Sequence, residues 1–492
     1  MKKTNSLLLN SIFSLLATVA VKIANIIAFI LIARLTGPHQ AGIFSLGTTY
    51  LAIFAAITLG FDELLTRQVA RDRRTSAEYF STLLIIRILA TIACYLLLFF
   101  LVGYGIGYSD STLQPIILLG LSLIPDNLAN VGQALLISHE RFKPILFAGI
   151  VSSVVKLIGI LVANSNGADL QGVALAWFAG SCLAALILFG YAAGLVKQYE
   201  VPSWFRIHHW MLVLKQSVPF LTIGLLFALE YQSDVVILSF IRDEAEVSMY
   251  TAGTTIVFGL LLLFQSIRNA IYPRMVSLHS QEPVRLVRFF DLSFNYLLAI
   301  SLPMSLGLTL ISPALIGWIY NSSFLDAVIP LQILAWLIVI NSVTVLSVRL
   351  VLVTERQAIV PVLLAGSLAL NIFLNYILDP DMGAAGAAVA RICSSLLFIL
   401  AILYYANRHL QISLKVTDLI KPVIASLIMG TGVWFTLQWS LFLAIFSGIT
   451  IYPIALLLIR GVTAEERQWL IKFIQSVRWI VFSWQGRIGR IR

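Results

Sequence analysis

Charged residues are scarce in this chain. Asp, Glu, Lys and Arg make up only 11% of its 492 residues, while hydrophobic residues make up 59%. A soluble domain is about a quarter charged and about half apolar. The hydrophobic excess extends over nearly the whole length, which excludes an ordinary soluble protein. We therefore expect an integral membrane protein with many spans.

Cysteine and the common catalytic motifs are also nearly missing. Cys94, Cys182 and Cys393 lie far apart within apolar runs, so we expect small buried side chains rather than disulfides or metal ligands. No cluster of Cys or His has metal-ligand spacing. The chain lacks the G-x-x-x-x-G-K-[ST] phosphate loop, which excludes a transporter that hydrolyses ATP with a P-loop of its own. We expect no cofactor and no enzymatic activity.

The basic residues alternate between the polar gaps that separate the apolar runs. Of the 33 Lys and Arg residues, 27 fall in every second gap, and the gaps between hold only Arg34 and Arg242. Loops rich in Lys and Arg stay in the cytoplasm. This pattern predicts an even number of spans with both termini cytoplasmic, in the cytoplasmic membrane. It also accounts for the net charge of +10 without any nucleic-acid partner.

Fourteen apolar runs are long enough to cross a bilayer as helices, which takes about 20 residues each. They are 8–33, 42–60, 80–103, 113–137, 144–163, 170–193, 214–240, 247–271, 289–312, 327–348, 358–378, 384–406, 417–437 and 440–459. The outer loops between them are too short to fold as domains. The predicted fold class is an all-α integral membrane protein.

An internal repeat divides the chain into two lobes. Gly47-Thr48-Thr49 recurs as Gly253-Thr254-Thr255, and the segment GVALA at 172–176 recurs as GAAVA at 386–390. Six spans separate the copies, so both lobes have the same orientation, which is a transporter architecture. The predicted domains are an N-terminal lobe at 1–193, a cytoplasmic linker at 194–213, a C-terminal lobe at 214–406, two added spans at 407–460 and a basic tail at 461–492.

The tail differs from the rest of the chain. Leu470, Ile474, Val477 and Val481 recur at helical spacing, with basic residues between them. A basic amphipathic helix with aromatic residues lies in the membrane interface. We expect the tail to be a surface anchor.

Three segments carry a resemblance to a known family. They are IARLTGPHQAGIFSLG at 32–47, QSVPFLTIGLLFALEYQSDVVILSFIRDEAEVSMYTAG at 216–253 and NIFLNYILDPDMGAAGAAVA at 371–390. Their order and spacing resemble the polysaccharide-repeat-unit flippases of the multidrug/oligosaccharidyl-lipid/polysaccharide superfamily. The resemblance implies two six-helix lobes around a V-shaped cavity, and alternating access. The acidic LDPDMG segment departs from the family's usual pattern, but we expect it to be a loop.

Seven ionisable residues lie within the predicted spans. They are Lys22, Arg87, Asp126, Lys156, Glu230, Asp234 and Arg391. Because a charge at the bilayer centre costs about 2.5–3.5 kcal/mol on insertion scales, such residues face the protein interior or a water-filled cavity. We predict that Lys22, Arg87, Lys156 and Arg391 line a cationic substrate cavity. Snorkelling of Arg87 and an ion pair between Lys156 and Asp126 are the alternatives.

Glu230 and Asp234 lie four residues apart and therefore share a helix face. Together with Asp126, they are the candidates for coupling transport to Na⁺ or H⁺. The alternative is that a base such as Lys22 or Lys156 neutralises the two acids across the cavity, in which case they only hold the lobes together.

The leading functional hypothesis is a flippase for undecaprenyl-pyrophosphate-linked oligosaccharide that serves surface polysaccharide synthesis. The family resemblance supplies the substrate class, and the excess of intramembrane bases is consistent with an anion. The expected partners are the lipid-linked oligosaccharide and membrane lipids, with a polysaccharide polymerase or glycosyltransferases as candidate protein partners. We expect a monomer.

Three other functions stay open. A lipid II flippase also fits a cationic cavity. An ion-coupled multidrug extruder would need an acid-dominated cavity, which the excess of bases disfavours. A membrane-embedded glycosyltransferase would use an acid pair such as Asp379 and Asp381, but it would also need a large outer domain.

The charge pattern generates a topological prediction. Single cysteines at Asp169 and Asp381 should react with a membrane-impermeant thiol reagent from outside the cell. Cysteines at Arg73 and Arg408 should react only after the membrane is permeabilised. A reversal at one of these four positions would contradict the topology.

Overall fold

The chain is all-helical throughout the part that the structure describes. The computed structural model describes residues 2–167, 169–199, 207–356, 358–410 and 417–459. Helices joined by short turns account for these residues, and no strand occurs among them. The predicted tail at 461–492 lies outside the described residues.

Six helices lie in the part of the chain predicted as the N-terminal lobe, and this name is kept for them. They are α1 (Lys2–Arg71), α2 (Ser76–Phe100), α3 (Asp110–Gly120), α4 (Leu123–Ser138), α5 (Lys143–Ser165) and α6 (Leu170–Val196). A π-helical turn, Leu101–Ile106, continues α2. Helices α3 and α4 continue each other across a short break at Leu121 and Ser122.

The C-terminal lobe and the added helices follow. They are α7 (Ile207–Ile241), α8 (Glu244–Gln281), α9 (Pro283–Ile319), α10 (Val328–Leu334), α11 (Leu337–Val353), α12 (Ile359–Met382), α13 (Ala384–Leu410), α14 (Thr417–Leu437) and α15 (Leu441–Leu458). Helices α14 and α15 pack on each other, and both pack on α9.

The membrane class is confirmed by the helices themselves. Among the described residues, twelve helical segments are long and apolar enough to span a bilayer, or thirteen if the bent pair of α10 and α11 forms one span. Large apolar side chains such as Ile150, Val154 and Ile158 are exposed along one face of α5. Such a face is stable against lipid tails and unfavourable in water.

The first helix is interrupted at Gly37. This residue has φ +82° and ψ −179°, and Pro38 follows it. Proline lacks the N–H that a helix interior requires, and it disfavours helical geometry in the preceding residue. The kink divides α1 into a first arm, 2–36, and a second arm, 38–71. The sequence predicted a loop of eight residues here, and the structure replaces it with this single non-helical position.

Two other predicted boundaries are wrong. Residues 379–381 were expected in a loop, but α12 continues through them to Met382. The loop is unnecessary because Gly383, at φ +54°, makes the turn into α13 alone. Both ends of the predicted linker 194–213 are helical, since α6 continues to Val196 and α7 begins at Ile207.

The second arm of α1 packs along α7 of the C-terminal lobe. Thr49 hydrogen-bonds Gln232 of α7 at 3.1 Å, and Gln68 hydrogen-bonds Gln216 near the other end of the same pair of helices at 3.3 Å. Between them, a Cβ placed at Gly60 would lie 2.6 Å from the backbone nitrogen of Leu221. The absence of a side chain at this glycine therefore lets α1 and α7 come close together.

The small-residue repeat motif has a comparable packing role in the C-terminal lobe. A Cβ at Gly386 would lie 2.8 Å from the backbone of Leu378. Helices α12 and α13 are therefore in backbone contact just after the turn at Gly383. Small residues permit this close approach in membrane helices.

We predict that Gly386→Val destabilises the protein by about 1–3 kcal/mol, because the added side chain must push the two helices apart. Thermal unfolding of purified protein in detergent measures this effect. Gly366→Val on α12 is the control, since no atom lies within 4 Å of the position that its Cβ would take. Equal unfolding temperatures for the two variants would contradict the packing role.

Candidate functional site

The ionisable residues predicted inside the membrane separate into two ion-paired clusters and three other residues. One cluster lies in each lobe. Lys22, Asp126 and Lys156 lie outside both clusters. Their surroundings decide which of them can contact a substrate.

The cluster in the C-terminal lobe is centred on Arg391 of α13. Its Nε donates to Asp234 at 2.6 Å, and its Nη1 lies 3.4 Å from Glu230. Both carboxylates are on α7, one turn apart, as the sequence predicted. All three side chains are almost fully buried. Arg391 therefore ties α13 to α7, and a base of the same lobe, rather than Lys22 or Lys156, neutralises the two acids.

Neutral polar groups complete the contacts of Asp234. Asn371 and Asn375 of α12 donate to its Oδ1 at 2.8 and 3.1 Å, and the hydroxyl of Tyr250 of α8 donates to its Oδ2. Four helices therefore meet at one carboxylate. Sequence reasoning missed the two asparagines, although two amides spaced by four residues in an apolar helix were an available signal.

Several oxygens beside this cluster have no partner. Oε2 of Glu230, Oδ1 of Asn375 and both carboxylate oxygens of Asp379 are buried without a hydrogen bond. Asp379 lies one turn beyond Asn375, and Nε of Arg242 binds its backbone oxygen at 3.1 Å. Leaving buried oxygens unpaired is unfavourable. Carboxylate and amide oxygens are the groups that a proton or a hard cation would satisfy.

The cluster in the N-terminal lobe surrounds Arg87 of α2. Its guanidinium pairs with Asp62 of α1, and its Nε donates to Asn127 of α4 at 2.8 Å. Nη2 lies 3.3 Å from the hydroxyl of Thr58. Arg87 is only 1% exposed, so it does not snorkel. The sequence missed Asp62 because the second span was predicted to end at residue 60.

Lys156 of α5 has different surroundings. Its ammonium lies 4.4 Å from the ring centroid of Trp177 on α6, and this ring contacts Phe44 of α1 edge to face. A cation over an aromatic face is stabilised by the ring's quadrupole. The side chain is half-buried, as is Asp126 on α4. A cation–π contact leaves the three N–H groups of the ammonium able to donate to an anion.

Lys22 lies on the first arm of α1 and is exposed. Ile26, one turn further along this arm, packs against the C-terminal lobe. Its Cδ1 lies 3.3 Å from the position that a Cβ would take at Gly259 of α8. Because residues four apart share a helix face, Lys22 is on the face of α1 that is directed toward the other lobe.

No group of three or more His, Cys, Asp and Glu side chains within the described ranges could hold a metal ion. The polar and charged side chains of the two lobes offer two kinds of chemistry. The C-terminal lobe holds buried acids and amides around a fixed guanidinium. The N-terminal lobe holds two lysines that lie outside the two ion-paired clusters.

Comparison with known proteins agrees with this architecture. A family model described as "Polysaccharide biosynthesis protein" matches residues 7–279, which is more than half of the chain. The chain is 22% identical over 454 residues to the probable low-salt glycan biosynthesis flippase Agl15 of Haloferax volcanii. This match covers 90% of the chain and 94% of the relative.

Solved structures share the fold. The lipid II flippase MurJ in an inward closed conformation matches with a TM-score of 0.74 at 18% identity, over 90% of this chain and 97% of that one. An inward-facing multidrug resistance MATE transporter of the MOP superfamily matches with a TM-score of 0.67 at 13% identity, over 81% and 98%. The chain therefore belongs to the polysaccharide biosynthesis protein family, and it has the transporter fold of the multidrug/oligosaccharidyl-lipid/polysaccharide superfamily.

Proposed function

We propose that this protein translocates undecaprenyl-pyrophosphate-linked oligosaccharide across the cytoplasmic membrane by alternating access of its two lobes. The observation that carries the proposal is the pair of lysines in the N-terminal lobe, within a chain of the polysaccharide biosynthesis family. Lys156 and Lys22 can compensate the charge of a diphosphate while its lipid tail stays in the bilayer.

We further propose fourteen crossings. A stretch of 46 residues, Phe13–Thr58, counts as one of the apolar segments, but it would be about 69 Å long as a straight helix, against an apolar core of about 30 Å. Ser45 of the second arm bonds Thr251 of α8, and Ile26 of the first arm packs near Gly259 of the same helix. Both arms thus lie along α8, which supports a reversal at Gly37 and two crossings.

Fewer basic residues are proposed to line the substrate cavity than the sequence suggested. Arg87 and Arg391 are paired with acids in their own lobes, which favours a structural role for both. Lys22, on the face of α1 directed toward the other lobe, and Lys156, with its ammonium on the ring of Trp177, are the groups proposed to bind the diphosphate. An ammonium is a compact donor of three hydrogen bonds that suits a phosphate oxygen.

The oxygens around Asp234 support a coupling proposal. Glu230 and Asp234 share the single guanidinium of Arg391, and uptake of Na⁺ or H⁺ at these two acids would offset the negative charge that the guanidinium leaves. Occupancy would change the packing of α7 against α12 and α13, and α7 also contacts the second arm of α1. Ion binding in one lobe could in this way alter the contact between the lobes. Asp126 of the N-terminal lobe is a second candidate for coupling.

Lipid II transport is the alternative that the fold similarity to MurJ favours. The two substrates can be compared with purified protein in liposomes. The liposomes carry either fluorescent undecaprenyl-pyrophosphate-oligosaccharide or fluorescent lipid II, and the rate of translocation is measured for each. Faster translocation of the oligosaccharide lipid supports the proposal. Translocation of lipid II alone, or of cationic drugs alone, overturns it.

We predict that Lys156→Ala and Lys22→Ala each lower the rate of oligosaccharide-lipid translocation by at least tenfold, since one charge-assisted hydrogen bond contributes about 1.5–3 kcal/mol. Lys156→Arg and Lys22→Arg should retain part of the activity because the positive charge remains. Lys197→Ala, at the exposed end of α6, is the control and should be unchanged. Wild-type rates in both alanine variants would show that neither lysine contributes to substrate binding.

We predict that Asp234→Asn and Glu230→Gln retain binding of the lipid-linked oligosaccharide but lose the dependence of transport on an imposed ion gradient. Transport in vesicles with Na⁺ or pH gradients measures this. Asp381→Asn, on the exposed end of α12, should keep the dependence. Full transport with unchanged gradient dependence in both variants would show that the two acids have no coupling role.

A further inference from the structure

The start of α8 contacts the N-terminal lobe more closely than ordinary helix packing requires. A Cβ at Gly42 of α1 would lie 1.7 Å from the backbone oxygen of Glu244. A side chain larger than that of glycine would overlap this carbonyl, so the two backbones touch. The contact holds the side chain of Glu244 at a fixed place against the other lobe.

The carboxylate of Glu244 is held by that lobe. Oε1 accepts a hydrogen bond from the hydroxyl of Thr112 in α3 at 2.7 Å. Oε2 lies 3.7 Å from Nδ1 of His39, two residues after the kink in α1. Both contacts cross between the lobes. The side chain of Glu244 is 18% exposed and that of Thr112 is buried, so little water competes for the hydrogen bond.

Two acids that neighbour Glu244 make their hydrogen bonds differently. Asp243 accepts from the backbone nitrogen of Glu246 and caps α8. Glu246 accepts from the backbone nitrogen of Ala384 at 2.8 Å and caps α13. Both stay within the C-terminal lobe. Of the three acids at this helix start, Glu244 is the one whose described contacts reach the other lobe.

Two further hydrogen bonds join the lobes near this point. Ser45 bonds Thr251 at 2.6 Å, and the hydroxyl of Tyr108 bonds Ser239 of α7 at 2.6 Å. These bonds are neutral. A charge-assisted bond is roughly twice as strong as a neutral one. Arg34 of α1 also donates to the backbone oxygen of Trp318 of α9. Among the described polar contacts between the lobes on this side, Glu244 therefore provides the one made by a carboxylate.

We propose that Glu244 is a latch that keeps the outer side of the transporter closed, with Thr112 and His39 as its receptors on the N-terminal lobe. Outward opening must break the bond to Thr112 and hydrate the carboxylate. Removing the charge of Glu244 or the donor of Thr112 shifts the population toward the outward-open state. The inference rests on alternating access, but it needs no particular substrate.

Disulfide trapping across the seam tests the latch. In a background without Cys94, Cys182 and Cys393, cysteines replace Ser45 and Thr251, whose hydroxyl oxygens are in contact. The rate of oxidative cross-linking in membranes then reports how often the outer seam is closed. No transported lipid is needed for this measurement.

The expected result is slower cross-linking in Thr112→Val, because losing one charge-assisted bond lowers the ratio of closed to open seam at least about tenfold. Glu244→Gln should also be slower. Glu246→Gln is the matched control, with the same change of charge two residues away, and should cross-link like the parent. If the two sites act through one contact, the Glu244→Gln/Thr112→Val double variant should be no slower than the slower single variant.

Parental cross-linking rates in both Thr112→Val and Glu244→Gln would overturn the latch, and so would equal slowing by Glu246→Gln. Gel filtration and thermal unfolding identify a variant that fails to fold, and the other variant then decides. If the cross-linking responds as expected but no lipid-linked oligosaccharide moves in liposomes, the latch stands and the proposed function fails.

Discussion

The ion pairs of Arg391 are the interaction on which the C-terminal lobe depends. A guanidinium from α13 reaches two carboxylates on α7, and the amides of α12 and the hydroxyl of Tyr250 on α8 complete the shell. Removing one partner of such a pair strands a charge where water cannot reach it, at a cost of about 3–5 kcal/mol. These contacts therefore tie α7, α8, α12 and α13 together at one buried point of the lobe.

The N-terminal lobe also contains a buried arginine that joins several helices, with fewer polar groups around it. Arg87 joins α2 to α1 and α4 through Asp62, Thr58 and Asn127. Lys156 is arranged differently, because an aromatic ring rather than an acid lies beneath its ammonium. A charge supported by a neutral surface can accept a charged ligand without first losing an ion pair. The two arginines join helices of their own lobes, whereas Lys156 rests on a neutral ring, and this is the arrangement on which its proposed role in substrate binding depends.

The sequence predicted those properties that depend on local composition. Apolar length and alternating basic loops indicated an all-helical membrane protein, and the four-residue spacing of Glu230 and Asp234 was enough to put both on one helix face. The partners of these acids could not be predicted, since Arg391 lies about 160 residues away in sequence and only the helix packing brings it near. Asp62 was missed because hydropathy fades toward helix ends, and Asp379 because Pro380 resembles a loop signal although the helix continues.

The kink at Gly37 has a consequence for how the chain enters the membrane. Both arms of α1 lie along α8, and one non-helical residue followed by Pro38 joins them. Under the proposed fourteen crossings, the two arms form a helical hairpin that would enter the bilayer as one unit during synthesis, because a single non-helical residue leaves no loop between them. The earliest part of this protein to be made would then already contain the surface on which the second lobe later docks.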